Sequence, residues 1–127
     1  MKASMLVALA GLSISIAHAA EPTGTLMLEC QGTATKEDAK TGEQTEPMVV
    51  IVNFETRTVQ GFGYPSSMEI THADEVSITF GAYDINTRVY VLGRIDRVTG
   101  NVWAVWSGQV HIQSSPWGFY SLKCKPT

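Results

Sequence analysis

The sequence is poor in basic charge, has only two cysteines and carries almost no helix signal. It has 9 Lys+Arg against 12 Asp+Glu over 127 residues, for a net charge of −3, and no basic block. A chain of that sign does not match a polyphosphate backbone, so nucleic acid is not an expected partner. The length limits the chain to one domain and excludes a TIM barrel or a dinucleotide-binding fold. Neither Gly-x-Ser-x-Gly nor His-Glu-x-x-His occurs, and no Gly-rich phosphate loop opens a helix. No catalytic residue, cofactor or enzyme activity is therefore expected. His72 stands beside Asp74 and Glu75, but one His with two flanking carboxylates is too few ligands for a metal site, and turn polarity accounts for it. No metal is expected. Beyond the first residues, no apolar run reaches about 18 residues, so no permanent membrane span is expected.

What is present starts with a leader. Met1-Lys2 is followed by an apolar stretch over residues 5–16 and then by Ala17-His18-Ala19. A positive start, a short apolar run and small residues before a cut make a secretory signal peptide over residues 1–19. The expected location is periplasmic or secreted. The expected domain is residues 20–127. Removing 19 of 127 residues leaves 108, and the loss of Lys2 turns the balance to 8 against 12. Cys30 and Cys124 are the only cysteines. Export favours oxidation, so they are expected to form one disulfide that ties the first segment of the domain to the last.

Val, Ile, Thr and aromatic residues dominate the ordered stretches, and turn residues recur about every ten positions. This predicts an all-β fold, a single antiparallel β-barrel or β-sandwich of about eight meandering strands. The strands are expected to begin near Thr25, Met48, Thr58, Ser67, Val76, Arg88, Asn101 and Gly118. One pattern recurs at Phe54-Glu55-Thr56-Arg57-Thr58-Val59, at Tyr83-Asp84-Ile85-Asn86-Thr87-Arg88-Val89 and at Ile95-Asp96-Arg97-Val98-Thr99-Gly100-Asn101-Val102. An acidic side chain that accepts turn N–H groups, followed by Gly100 or Asn86 at positive φ, predicts hairpins. Each such turn offers one carboxylate, too few oxygen ligands for calcium. Residues 33–47 are polar and without periodicity, and read as a long loop.

Alternation sorts the strand faces. Leu26, Leu28 and Cys30 share an apolar face, as do Tyr120, Leu122 and Cys124. Met68, Ile70 and His72 are expected to share a face, and so are Val76, Ile78 and Phe80. Three strands are apolar on both faces. Val49 and Ile51 oppose Met48, Val50, Val52 and Phe54. Tyr90 and Leu92 oppose Val89, Val91 and Ile95. Trp103 and Val105 oppose Val102, Ala104 and Trp106. Such strands need a second cover: a returning loop, another subunit or a ligand.

Gly93-Arg-Ile-Asp-Arg-Val-Thr-Gly100 together with Ser121-Leu-Lys-Cys-Lys-Pro126 resembles a group of small secreted proteins of alphaproteobacteria of uncharacterised function. That resemblance implies a periplasmic or secreted β domain and no particular activity. Leu28-Glu29-Cys30-Gln31-Gly32 is similar to the early Cys segment of the periplasmic C-type lysozyme inhibitors. Their Ser-Gly-x-x-Tyr motif has only its first two residues here, in Trp106-Ser-Gly-Gln-Val110. The expected function is a non-enzymatic binding module for a protein partner or a small apolar ligand, with homodimerisation as one way to cover the apolar strands. The alternative is an inhibitor of a secreted or periplasmic hydrolase, acting through residues 107–117 or 33–47. The candidate binding patch is Tyr90, Leu92, Trp103, Val105, Trp106 and Trp117.

Overall fold

The computed structural model describes residues 22–36, 41–86, 88–108 and 117–127, with the Trp117 side chain left aside. The expected leader, residues 1–19, lies outside the described residues. Nine strands form: β1 (Thr25–Lys36), β2 (Glu43–Gln44), β3 (Met48–Asn53), β4 (Thr58–Gln60), β5 (Met68–Ala73), β6 (Ser77–Asp84), β7 (Val89–Asp96), β8 (Asn101–Gly108) and β9 (Trp117–Pro126). Neighbours pair antiparallel in the order β2-β1-β3-β4-β5-β6-β7-β8-β9, and β1 also pairs with β9. Eight strands therefore close into a barrel, and β2 is an extra strand on β1. Among the described residues, no helix is long and apolar enough to cross a membrane.

The barrel follows from alternation. Leu28, Cys30, Val50, Val52, Val59, Met68, Ile70, Ile78, Phe80, Val91, Ile95, Val102, Ala104, Leu122 and Cys124 all point inward and are buried. An eight-stranded barrel is about wide enough for its side chains to fill, and these fill it. Two wall glycines admit the largest rings. A Cβ at Gly93 would run into the Phe80 ring, and one at Gly118 into the Trp106 ring.

Cys30 and Cys124 are direct cross-strand partners on the closing β1–β9 seam, with Cα atoms 4.1 Å apart, and they form the expected disulfide. The bridge spans 94 residues. Both sulfurs sit on inward, buried positions, as the apolar faces predicted.

Three hairpins share one construction. Asn53 Oδ1 accepts the N–H groups of Glu55 and Thr56, Asp84 Oδ1 that of Asn86, and Asp96 Oδ1 those of Val98 and Thr99. Four residues later stands a residue at positive φ: Arg57 at 56°, Arg88 at 59° and Gly100 at 80°. The turn chemistry is as expected, but two details differ. In the first hairpin the acceptor is Asn53, and Glu55 instead accepts from the Gly24 N–H. In the second, Arg88 and not Asn86 takes the left-handed position, because the positive φ falls where the chain must rejoin the ladder. The β5–β6 turn is capped likewise, with Asp74 Oδ1 accepting from Val76 and Ser77.

Two faces differ from strict alternation. A bulge between Ile70 and His72 turns His72 outward and lets Ala73 pack on the core. Such a bulge reverses the parity of every later residue in the strand. Val76 lies in the capped turn before β6 and is exposed, while Ile78 and Phe80 are buried. The polar segment 33–47 is also more ordered than a loop. β1 continues to Lys36, Thr33 pairs with Gln44 and Ala34 with Glu43. Residues 37–40 lie outside the described residues.

Removing the disulfide is expected to cost about 4–5 kcal/mol by the chain-entropy account of a loop this long. Urea titration of Cys30→Ala/Cys124→Ala against the oxidised chain measures it. Arg88→Gly should stabilise the fold by about 0.5–1 kcal/mol, because glycine carries no left-handed penalty. The same titration would show a lower midpoint if that turn geometry were wrong.

Acid should also weaken the fold. The His72 hydrogen bond, then the Ser77 and Val76 N–H groups, hold the Asp74 carboxyl down at about 2, and the Thr99 N–H first of all lowers that of Asp96. Folded-state pKa values below the unfolded ones mean that this stabilisation is complete above about pH 4 and is lost as pH falls through the folded values. Asp96→Asn keeps an acceptor, as Asn53 does, and should flatten part of that decline when urea midpoints are followed from pH 5 to 2.

Candidate functional site

The outer wall of β6, β7, β8 and β9 is assembled by register. Tyr83 faces Tyr90, which faces Ser107. Gly81 faces Leu92, Leu92 faces Val105, and Val105 faces Phe119. Thr79 faces Arg94, Arg94 faces Trp103, and Trp103 faces Ser121. Directly opposed residues share a face, so Tyr83, Tyr90, Leu92, Trp103, Val105 and Phe119 form one apolar field on the outside. Gly81 lets Leu92 lie flat across it, since a Cβ there would come within 2.9 Å of Leu92 Cδ2. The field is open: Tyr83 is 61% exposed, Leu92 49%, and Tyr90 and Trp103 each 41%. Val105 and Phe119 are half-buried between them. Thr79, Arg94, Ser107 and Ser121 set polar groups among and beside the apolar ones.

Four of the six expected patch residues meet here: Tyr90, Leu92, Trp103 and Val105. Trp106 does not. It alternates with Val105, so its ring points into the barrel, where it packs over Gly118 and 5.0 Å from the Tyr120 ring. Its place is in the core lining, not in the outer patch. Trp117 pairs through its backbone with Ser107, and its side chain lies outside the described residues. Tyr83 and Phe119 were not expected. They are neighbours of Tyr90 and Val105 only through register, and the repeated Tyr in Tyr83 and Tyr90 was the one available signal. Val49, the exposed residue of the third two-faced strand, lies on β3, away from this field; it pairs with Glu29.

The interior near the start of β7 holds an aromatic cluster. Phe62 stacks on Phe80 with ring centres 5.3 Å apart and lies 6.1 Å from the Tyr120 ring. Phe62 is buried although its φ is 60°. A side chain in that region costs on the order of 1–2 kcal/mol, which the burial of the ring offsets. Burial raises the pKa of the Tyr120 hydroxyl, which keeps it a neutral donor.

His72 Nε2 and Asp74 Oδ2 lie 2.9 Å apart, both exposed. The nearby Thr71 and Thr79 hydroxyls bond each other at 3.0 Å. Asp74 is also the turn cap, so the pair has a structural task. Among the described residues, no group of three or more His, Cys, Asp or Glu side chains is placed to hold a metal. Of the two loops expected to carry an inhibitor function, residues 109–116 and 37–40 lie outside the described residues.

No family model, curated protein or solved structure matches this chain.

Proposed function

We propose that this chain is an exported, non-enzymatic binding module that docks a protein partner on the outer wall of β6–β9. The observation that carries this reading is the open field of Tyr83, Tyr90, Leu92 and Trp103 on adjoining strands. Water gains nothing from hydrating such a surface, and isolated domains rarely keep large contiguous apolar patches without a use. Tyr and Trp also dominate the centres of protein interfaces, because they bury large rigid surface at low entropic cost. A hydrogen-bonded ladder supports each residue from behind, so docking needs little reordering. The leader-like first residues and the Cys30–Cys124 bridge support an oxidising location. A catalytic role has no support in the His72–Asp74 pair, which caps a turn.

The test compares the oxidised protein with a Leu92→Ser/Trp103→Ser variant. Both residues point away from the core, so both proteins should unfold at similar temperatures. Immobilised wild type is expected to retain a discrete partner from an extract of the source cell envelope, and the variant should bind it at least about tenfold more weakly. Sedimentation at several concentrations identifies the case in which the partner is a second copy. Equal retention by both proteins overturns the reading.

A further inference from the structure

Among the described residues, the strand ladder of the barrel wall is interrupted on one side. β4 pairs with β3 only through Thr58, Val59 and Gln60, and with β5 only through Thr58 and Val59. β5 then begins at Met68 and pairs with β6 no further than Gly81. Met48–Val50 of β3 are thus paired with β1, and Ala82 and Tyr83 of β6 with β7, but these two stretches are not paired across β4 and β5. Residues 61–67 span the interruption.

That segment is held by side chains, with Phe62 in the core and Tyr64 packed against it, and has little backbone hydrogen bonding. Among the described residues, one backbone hydrogen bond joins it, and that bond is local, from Tyr64 N–H to Gly61 O at 3.1 Å. The turn so closed has Phe62 at φ 60° and Gly63 at 72°, after Gly61 at 141°. Two positive-φ central residues suit glycine, asparagine or aspartate, and an aromatic residue is strained there. Phe62 nonetheless sits in this turn, and its ring enters the barrel to stack on Phe80 and approach Tyr120. Gly61 passes beside Val50 Cγ2 and Val49 O, where a Cβ would come within 3.1 and 3.3 Å. The two glycines allow backbone rotation on either side of the ring.

We propose that Phe62 is a displaceable plug, and that the turn opens to admit a neutral, planar aromatic ligand between Phe80, Tyr120 and Trp106. The site would be separate from the outer wall. The ring of the ligand takes the stacking place of Phe62, so no packing is lost on Phe80. Among the described residues, the core side chains around Phe80, Tyr120 and Trp106 carry no charge, which disfavours an ionised ligand. The Tyr120 hydroxyl, with no hydrogen-bond partner among the described residues, supplies one donor for a polar edge. Release of the strained turn favours the open form, and loss of the Phe62 ring from the core opposes it. The closed form prevails until a ring of equal shape replaces it.

The probe is 2-naphthol, neutral at pH 7 and carrying one hydroxyl, titrated calorimetrically into the oxidised protein. Saturable binding at one site is expected. Phe62→Ala should bind about tenfold more tightly, because no plug has to be displaced. Phe62→Leu, which preserves an apolar filling, should fall between the two and serves if the alanine variant does not fold. Trp103→Ser on the outer wall should bind as the wild type does. In the wild type, the amide shifts caused by 2-naphthol should concentrate at Gly61, Gly63, Gly93 and Gly118. Binding by the Phe62 variants but not by the wild type overturns the proposal, since the turn would then not open. Loss of binding in Trp103→Ser, or shifts confined to Leu92 and Val105, overturns it equally by placing the probe outside.

Discussion

The closing seam between β1 and β9 is the constraint on which the rest of the barrel depends. A meander of hairpins is local and needs no distant contact, but it stays an open sheet with two bare edges. Nine paired positions between Leu28–Lys36 and Gly118–Pro126 join those edges. The Cys30–Cys124 bridge sits within that ladder and fixes its register. Closure is what turns one sheet face into an interior, so the burial of Val91, Ile95 and Ala104 on β7 and β8 depends on a contact made far away in the chain.

The two ends of the barrel are built differently. At the end that holds the turns after Asn53, Asp74 and Asp96, side-chain oxygens cap every turn. Arg97 ties two of these turns together: its guanidinium donates to the Asp74 carbonyl at 2.7 Å and lies 5.4 Å from the centre of the Phe54 ring. At the other end, which holds the turn capped by Asp84, the ladder through β4 is short among the described residues, and aromatic rings pack beside it. Gly93 and Gly118 serve that end by giving up their side chains to make room for Phe80 and Trp106. A rigid base and a ring-filled mouth follow from where short caps and where large side chains fall along the chain.

The apolar excess of β7 and β8 divides between two surfaces. The inner half, Val91, Ile95, Val102, Ala104 and Trp106, builds the core. The outer half is left open on a wall where Tyr83 and Phe119 enlarge it. Both surfaces use the same strands, yet they are chemically independent, because alternation sends neighbouring side chains to opposite sides of one backbone.

Much was legible without coordinates. Strand positions could be read from period-two alternation and turn residues, and all eight expected starts fall within one residue of the observed ones, at Thr25, Met48, Thr58, Met68, Ser77, Val89, Asn101 and Trp117. The disulfide followed from there being only two cysteines in a chain read as exported. These features are local, or have only one solution, and so the sequence by itself determined them. The bulge at Thr71, the frame of the Asn53 turn and the pairing of Thr33 with Gln44 were not legible, because each depends on which residue the neighbouring strand places opposite. The addition of Tyr83 and Phe119 to the expected patch around Leu92, the inward place of Trp106 and the inward turn of Phe62 belong to the same class. Only the closed tertiary structure decided them, since register sets what lies beside a residue and the interruption of the ladder sets where a ring can enter.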